Sequence, residues 1–436
     1  MKNNIKGFLL YFLLINTFLL ESCTQKNPVL VSEKYIDSLL TIKGLSAREL
    51  ALKTDLNFWK IRYEKDTNSY ANSPQYAGML LAKFRQEGNI NNLILGEKII
   101  ARLNENQKGA ESGFYRTLAN YSSLQHRFQE ANNFANRALQ IGDNQYESLL
   151  ILFDASFELN KIDQARIILA KIKKKYEYAY YFRLSKMQHY DGKIEEATES
   201  MQKAASLSNG NIYLEQIAIS NLADLQLHVG DYANASINFQ KSLALDHADY
   251  HSLKGLGLIA QHHDKNAKIA AKIFNFIATK TQSPDIYFNL SQLAQSTGNQ
   301  KEEKKYAQIF SEKANQPIYG NMYNKYLIEL YDGILNDRLK MLQVAQREML
   351  NRNSPQTNTW YAWALYKNNQ KAKALDIYNN SIAGKPLEGL EHYFLGKMME
   401  NEKKNYNAKS YFEAAYKSKF ELAPAKRLEL ESKING

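Results

Sequence analysis

Gly230 to His247 reads GDYANASINFQKSLALDH. Its apolar and small residues fall at i, i+3, i+4 and i+7, so a helix begun after the glycine would carry one buried stripe. Ala235 and Phe239 lie on the same face, a small residue beside a large one. That pairing lets a neighbouring helix come close while the gap beside it is filled. Gly230 stands where a left-handed turn between two helices is easiest for glycine. One such pair cannot cover its own apolar stripe, so the stretch needs neighbours of its own kind.

The neighbours are there. Self-similar segments run from Phe128 to Leu139 (FQEANNFANRAL), Ile162 to Ile172 (IDQARIILAKI) and Ile194 to Leu207 (IEEATESMQKAASL). Two more run from Lys371 to Ile382 (KAKALDIYNNSI) and Tyr406 to Ser418 (YNAKSYFEAAYKS). The small residue opening the second helix recurs as Ala131, Ala165, Ala197, Ala235, Ala270, Ala374 and Ala408. Glu303 takes that place in a weaker unit, and a degenerate unit spans Tyr319 to Asn353. Gly88, Gly192, Gly230 and Gly298 fall in the turns within pairs; Pro284, Pro317, Pro355 and Pro386 fall at the junctions between them. No stretch alternates in the manner of a strand.

This set of features resembles the tetratricopeptide repeat (TPR), a unit of about 34 residues and two antiparallel helices. The resemblance begins after Pro74, with QYAGMLLAKFRQEGNINNLILGEKIIARL, and covers residues 74–420 as about nine or ten repeats. It implies an all-α fold: a right-handed superhelical solenoid of antiparallel helix pairs. Residues 421–436 are expected to form a C-terminal capping helix, centred on Ala425 to Ser432.

The N-terminus has a different character. Lys2 and Lys6 precede an apolar run from Gly7 to Leu20, too short to span a bilayer, which needs about 20 apolar residues. It ends in Leu20-Glu21-Ser22-Cys23, which resembles the lipobox of bacterial lipoproteins, although Glu21 stands where that motif has a small or apolar residue. The resemblance implies a signal peptide over 1–22 and fatty acylation (palmitate) of Cys23, the single cysteine of the chain. Thr24 to Asn27 carry no aspartate beside the cysteine, which by the same resemblance favours the outer membrane, and no acidic cluster follows, which favours its periplasmic face. Residues 23–73 are read as a tether and an N-terminal helical cap, with helical spacing over Glu33–Thr41 and Ala47–Tyr63 that fits a capping pair or a degenerate repeat.

Composition narrows the function. The chain has 436 residues, 44% of them hydrophobic, which excludes wholesale disorder. One cysteine excludes a disulfide framework and a cysteine-rich zinc cluster. Lys and Arg number 56 against 45 Asp and Glu, a net charge of +11. That balance attracts anionic partners without selecting one. Gly255-Leu256-Gly257-Leu258-Ile259-Ala260 matches a dinucleotide fingerprint, but inside a predicted helix, where its amides are not free for a pyrophosphate. His262-His263-Asp264 lacks the i, i+4 spacing of a helical metal site and reads as a helix end. Lys171 and Lys173 to Lys175, followed by Tyr176, Tyr178, Tyr180 and Tyr181, read as one helix ending and the next beginning. No catalysis, cofactor, metal or nucleic acid is expected.

In TPR proteins the first helices line a concave groove. Carrying those positions over gives Arg116 and Asn120, then Asp154 and Phe157, then Phe182, Lys186 and His189, and farther on Trp363, Tyr366, Tyr393 and Lys397. A carboxylate clamp is incomplete, since Ile151 and Ala179 occupy two of its positions. The expected function is a non-catalytic, membrane-anchored scaffold that binds a protein or peptide partner in the cell envelope; an acidic glycan is a further candidate. The alternative is a carbohydrate-capturing outer-membrane lipoprotein of a nutrient-uptake system.

Overall fold

The computed structural model describes residues 28–173, 177–208, 210–402 and 407–435. The expected signal peptide, Cys23 and the Lys174–Tyr176 part of the basic and aromatic cluster lie outside the described residues. Those described residues form 23 α-helices and no strand. Two helices lead: α1 (Glu33–Leu40) and α2 (Ala47–Lys65). Ten consecutive pairs follow. They are α3 (Asn72–Glu87) with α4 (Ile90–Asn106), α5 (Ser112–Leu124) with α6 (Phe128–Ile141), and α7 (Gln145–Glu158) with α8 (Ile162–Ile172). Next come α9 (Glu177–Tyr190) with α10 (Ile194–Ser206), α11 (Ile212–His228) with α12 (Tyr232–Leu245), and α13 (Tyr250–His262) with α14 (Ala267–Lys280). The last four are α15 (Asp285–Ser296) with α16 (Gln300–Ala314), α17 (Asn324–Asp332) with α18 (Arg338–Asn351), α19 (Pro355–Lys367) with α20 (Lys371–Ile377), and α21 (Gly389–Glu400) with α22 (Ala408–Lys417). A final helix, α23, covers Pro424–Asn435.

Local chemistry sets the boundaries. Second helices open on short polar side chains that cap free amides: Asn89, Asp231, Asn266, Asn299, Asp337 and Asn407 each accept from a backbone N–H two or three residues on. Each cap contributes about 1 kcal/mol. The turns within pairs need one left-handed residue. Gly88, Gly192, Gly230 and Gly298 supply it, and where glycine is missing Asn160, Asn336 and Asn369, with His126 and Lys265 in the second and sixth pairs, adopt the same conformation. Asparagine and histidine are enriched in that region among non-glycine residues, and these turns close with the same left-handed residue whichever side chain it carries.

Packing follows the small-beside-large rule. Ala131, Ala165, Ala197, Ala235, Ala270 and Ala374 are fully buried, whereas Ala408 is only half-buried. Gly255 and Gly257 lie in the middle of α13, where an added Cβ would collide with the rings of Phe239 and Phe274. Gly396 bears the same relation to Phe412. The dinucleotide-like stretch is therefore a pair of notches for aromatic rings. Both rings are fully buried, each contributing about 1.5–3 kcal/mol relative to exposure.

The superhelix closes on itself. Thr281 Oγ1 donates to the Glu87 carbonyl at 3.1 Å across 194 residues, and Arg352 Nη1 to Glu158 Oε2 at 3.2 Å across 194. His228 Nδ1 meets Glu421 Oε1 at 2.5 Å across 193. The turns inside the first, third and fifth pairs thus meet the segments that follow the sixth, eighth and tenth. The near-constant separation is the length of one superhelical turn. Two glycines make the approach possible: a Cβ on Gly88 would strike Ser283, and one on Gly230 would strike the Phe420 ring.

The segment before α2 departs from expectation. It does not cover the start of the array but lies across its middle. The buried Asp264 carboxylate accepts from the amides of Leu30 (3.0 Å) and Val31 (2.9 Å), while Val31 and Ile36 enter the core formed by α11 to α15. Glu33 and Asp37 pair with Lys268 and Lys272 on α14. Only α2 packs at the N-terminal end, against α3. The C-terminal α23 packs on α22 and also reaches α15, where the Ala425 amide donates to Gln295 Oε1 at 2.9 Å. No helix among the described residues is long and apolar enough to cross a membrane.

Candidate functional site

The seam between superhelical turns is closed at the contacts above and gapes between them. Opposite the fourth pair it opens into a cleft of about 900 Å³. One wall comes from the ends of α7, α9 and α11: Phe157, Glu158, Lys186, His189 and His228. The other comes from the next turn: Arg352 to Gln356 before and at the start of α19, Lys385 to Glu388 before α21, then His392 and the end of α22. The chain is shaped there by an unusual helix end. After Ile377, α20 continues as a π-turn over Tyr378–Ile382, and the loop beyond it brings Lys385, Pro386 and Glu388 to the cleft.

The walls are held by charge-assisted contacts. Glu158 receives Lys186 at 2.7 Å and Arg352 at 3.2 Å. Burial alone would raise the Glu158 pKa, but those two cations hold it below the ordinary carboxylate range. Lys186 also lies 4.6 Å from the Phe157 ring centroid, and Phe157 meets Tyr190 edge-on. Apolar rings and paired charges thus share one surface, which suits an extended chain with both kinds of side chain.

A histidine cluster lines the same cleft. His189 Nε2 and His228 Nε2 are 3.2 Å apart, and Glu388 Oε2 is 3.9 Å from His228 Nε2. Glu421 braces the group: Oε1 contacts His228 Nδ1 at 2.5 Å, and Oε2 accepts from the Gly389 amide at 3.2 Å. Burial, with the nearby His228, lowers the His189 pKa. Burial also opposes charge on His228, but its hydrogen bond to Glu421 and the charges of Glu421 and Glu388 lift it.

The sequence-derived residues fall into three groups. Phe157, Lys186 and His189 come together in the cleft. Arg116, Asn120, Asp154 and Phe182 lie outside its lining. Arg116 Nη1 donates to Ser112 Oγ (2.8 Å) and the Asp143 carbonyl (3.0 Å), and Asn120 is exposed. Asp154 pairs with Arg183 at 2.6 Å, and Phe182 stacks on Tyr178. The third group is corrected. Trp363, Tyr366 and Tyr393 are buried at 5%, 8% and 5% exposure and satisfied internally. Trp363 Nε1 donates to Asp332 (3.0 Å), Tyr366 Oη to Glu402 (3.0 Å) and Tyr393 Oη to Glu429 (2.6 Å). Lys397 is paired with Glu429 as well. Glu429 belongs to α23, which covers this end of the groove. Sequence reasoning missed Arg352, Lys385, Glu388, His228 and Glu421. The wall each of them faces belongs to the neighbouring superhelical turn, and no local spacing signals that.

No protein-family model matches the chain, and no curated protein matches it. Solved structures do. A chain of the APC/C hetero-tetramer Cut9–Hcn1 gives a TM-score of 0.50 at 15% identity, covering 78% of this chain and 61% of that one. Yeast Tom70 gives 0.36 at 14% identity, covering 83% and 95%. Human IFIT1, solved as a dimer with PPP-AAAA, gives 0.43 at 11% identity, covering 79% and 97%. This chain therefore spans 61% of the length of the Cut9–Hcn1 chain. At such identities the likeness concerns fold alone. Taken with the ten stacked helix pairs, it makes this chain similar to TPR-type helical repeat proteins: an all-α solenoid.

Proposed function

We propose that this chain is a non-catalytic scaffold, anchored by acyl chains on Cys23 to the periplasmic face of the outer membrane, that holds an extended segment of a protein partner in the cleft between its turns. The observation that carries the binding reading is the cleft itself. At about 900 Å³ it has the size of a dedicated binding site and mixes aromatic walls with paired charges. The lipobox-like Leu20–Cys23 supports the anchor, since two or three acyl chains hold firmly where one does not. The glycan reading draws less support, because Trp363, Tyr366 and Tyr393, the rings best suited to sugar faces, are buried.

The test is site-specific photo-crosslinking in intact cells. A crosslinker at Gln356 or Phe157 is expected to capture the same protein, while one at the exposed Leu339 or Leu350 captures none. Equal capture from all four positions would remove the cleft from consideration. Retardation of the chain in glycan-affinity gels, with no protein adduct, would favour the carbohydrate alternative. Fatty-acid labelling that persists in Cys23→Ser would reject the anchor.

A further inference from the structure

We propose that His189, His228 and Glu388 bind one divalent transition-metal ion, with zinc the best fit and the fourth coordination position open to the cleft. The three side chains come from α9, α11 and the residue before α21, and each offers one donor atom within 4.8 Å of the other two. The spacing of the imidazoles suits zinc. With Zn–N near 2.05 Å, two nitrogens 3.2 Å apart subtend about 103° at the metal, close to tetrahedral. Glu388 is 37% exposed at its side chain and has room to close its 3.9 Å separation from His228. Two imidazoles and a carboxylate suit a borderline cation; Mg²⁺ and Ca²⁺ prefer all-oxygen shells.

An outer shell is also in place. Glu421 accepts from Nδ1 of His228, which directs the Nε2 lone pair of that ring toward His189 and Glu388. Its other oxygen takes the Gly389 amide and so fixes the residue next to Glu388. One carboxylate therefore orients ligands from two superhelical turns. The site does not depend on partner docking, because all three donors are assembled in the free chain. Its open position could still receive a histidine or carboxylate from whatever enters the cleft.

The test uses the full chain in detergent, purified without a histidine tag, stripped with chelator and titrated with Zn²⁺ and Co²⁺. One equivalent of Zn²⁺ should bind, and Co²⁺ should give the visible absorption of a four- or five-coordinate nitrogen-ligated site. X-ray absorption of the zinc-loaded wild type should show two imidazole nitrogens. His189→Ala and His228→Ala should each lower the affinity at least 100-fold. Glu421→Gln, which keeps all three ligands, should lower it about 10–100-fold. His251→Ala, altering a histidine paired with Asp224 elsewhere, should leave binding unchanged. Absence of saturable binding to the wild type, an absorption spectrum without nitrogen ligands, or full affinity in folded His189→Ala would each overturn the proposal.

Discussion

Arg352 Nη1 and Glu158 Oε2 are 3.2 Å apart although 194 residues separate them in the chain. Arg352 also gives Nε to Glu348 Oε1 at 2.6 Å, so one guanidinium clamps its own turn and the turn beneath. Both partners of the long-range pair are largely shielded, at 16% and 28% side-chain exposure. The pair is therefore worth more than an open surface bridge and less than a fully buried one. Arg352→Ala is expected to cost about 2 kcal/mol at pH 7, read as a lower urea midpoint.

The same pair sets an acid limb. Because the folded-state pKa of Glu158 is depressed, its contribution is complete above the unfolded value and is lost as pH falls through the folded one. The gap between wild type and Arg352→Ala should therefore shrink from pH 7 to pH 3. Urea midpoints that stay equally far apart across that range would show that Glu158 does not titrate with the fold.

The notches on α13 lead to a prediction in which two effects compete. Gly257→Ala removes a poor helix former and gains about 1 kcal/mol in propensity. Its new methyl would meet the Phe274 ring, in a core that costs about 1–3 kcal/mol to overpack. The net expectation is destabilisation. Ala235→Leu, at a fully buried position with nothing to offset it, should lose the whole 1–3 kcal/mol. Thermal melts decide it: a raised transition in Gly257→Ala would mean that the ring has room to move.

Two turn glycines allow the seam to be isolated. Gly230 and Gly298 have φ of 80° and 72°, so alanine strains both backbones by about 1 kcal/mol. Only Gly230 faces another turn, with Phe420 against it; nothing lies within 4 Å of a Cβ at Gly298. Gly230→Ala should therefore be the more damaging by about 1–2 kcal/mol, and Phe420→Ala should relieve part of the difference. Equal losses in the two alanine variants would argue that the turns do not touch in solution.

Much of this architecture can be read from residue spacing, for a physical reason. The helix pairs depend on contacts between near neighbours, and Ala235 beside Phe239 or Gly230 at a turn records those contacts locally. Even the weak units fit, with Glu303 buried at its repeat position and α17 and α18 inside the degenerate stretch. The cleft is legible only in part. Lys186 and His189 follow from repeat register, but Arg352, Glu388 and Glu421 owe their place to superhelical pitch, which is the sum of many small rotations. Tyr393 is buried because α23 folds back to it through Glu429, and Trp363 because it stacks on Phe394 of the next pair and bonds Asp332, neither of which register alone reveals. The lead segment was misread for a similar reason: Asp264 appears in sequence as a helix end, and only the fold brings Leu30 and Val31 to it.

Asp264→Ala should free that lead segment. Two partly buried amides lose their acceptor, a cost of about 1.5–3 kcal/mol. Hydrogen exchange at Leu30 and Val31 should quicken well before the array itself loosens. Unchanged protection there would mean that Val31 and Ile36 hold the segment without the carboxylate.

On the proposed anchor, that clasp would also set posture. Leu30 follows Cys23 by seven positions, a leash of at most about 25 Å. With acyl chains on the cysteine, the molecule would be moored by its girdle, leaving neither tip tied down. The coil would ride broadside to the lipid surface, both extremities at liberty to swing, and a visitor would approach along the bilayer plane instead of descending a mast.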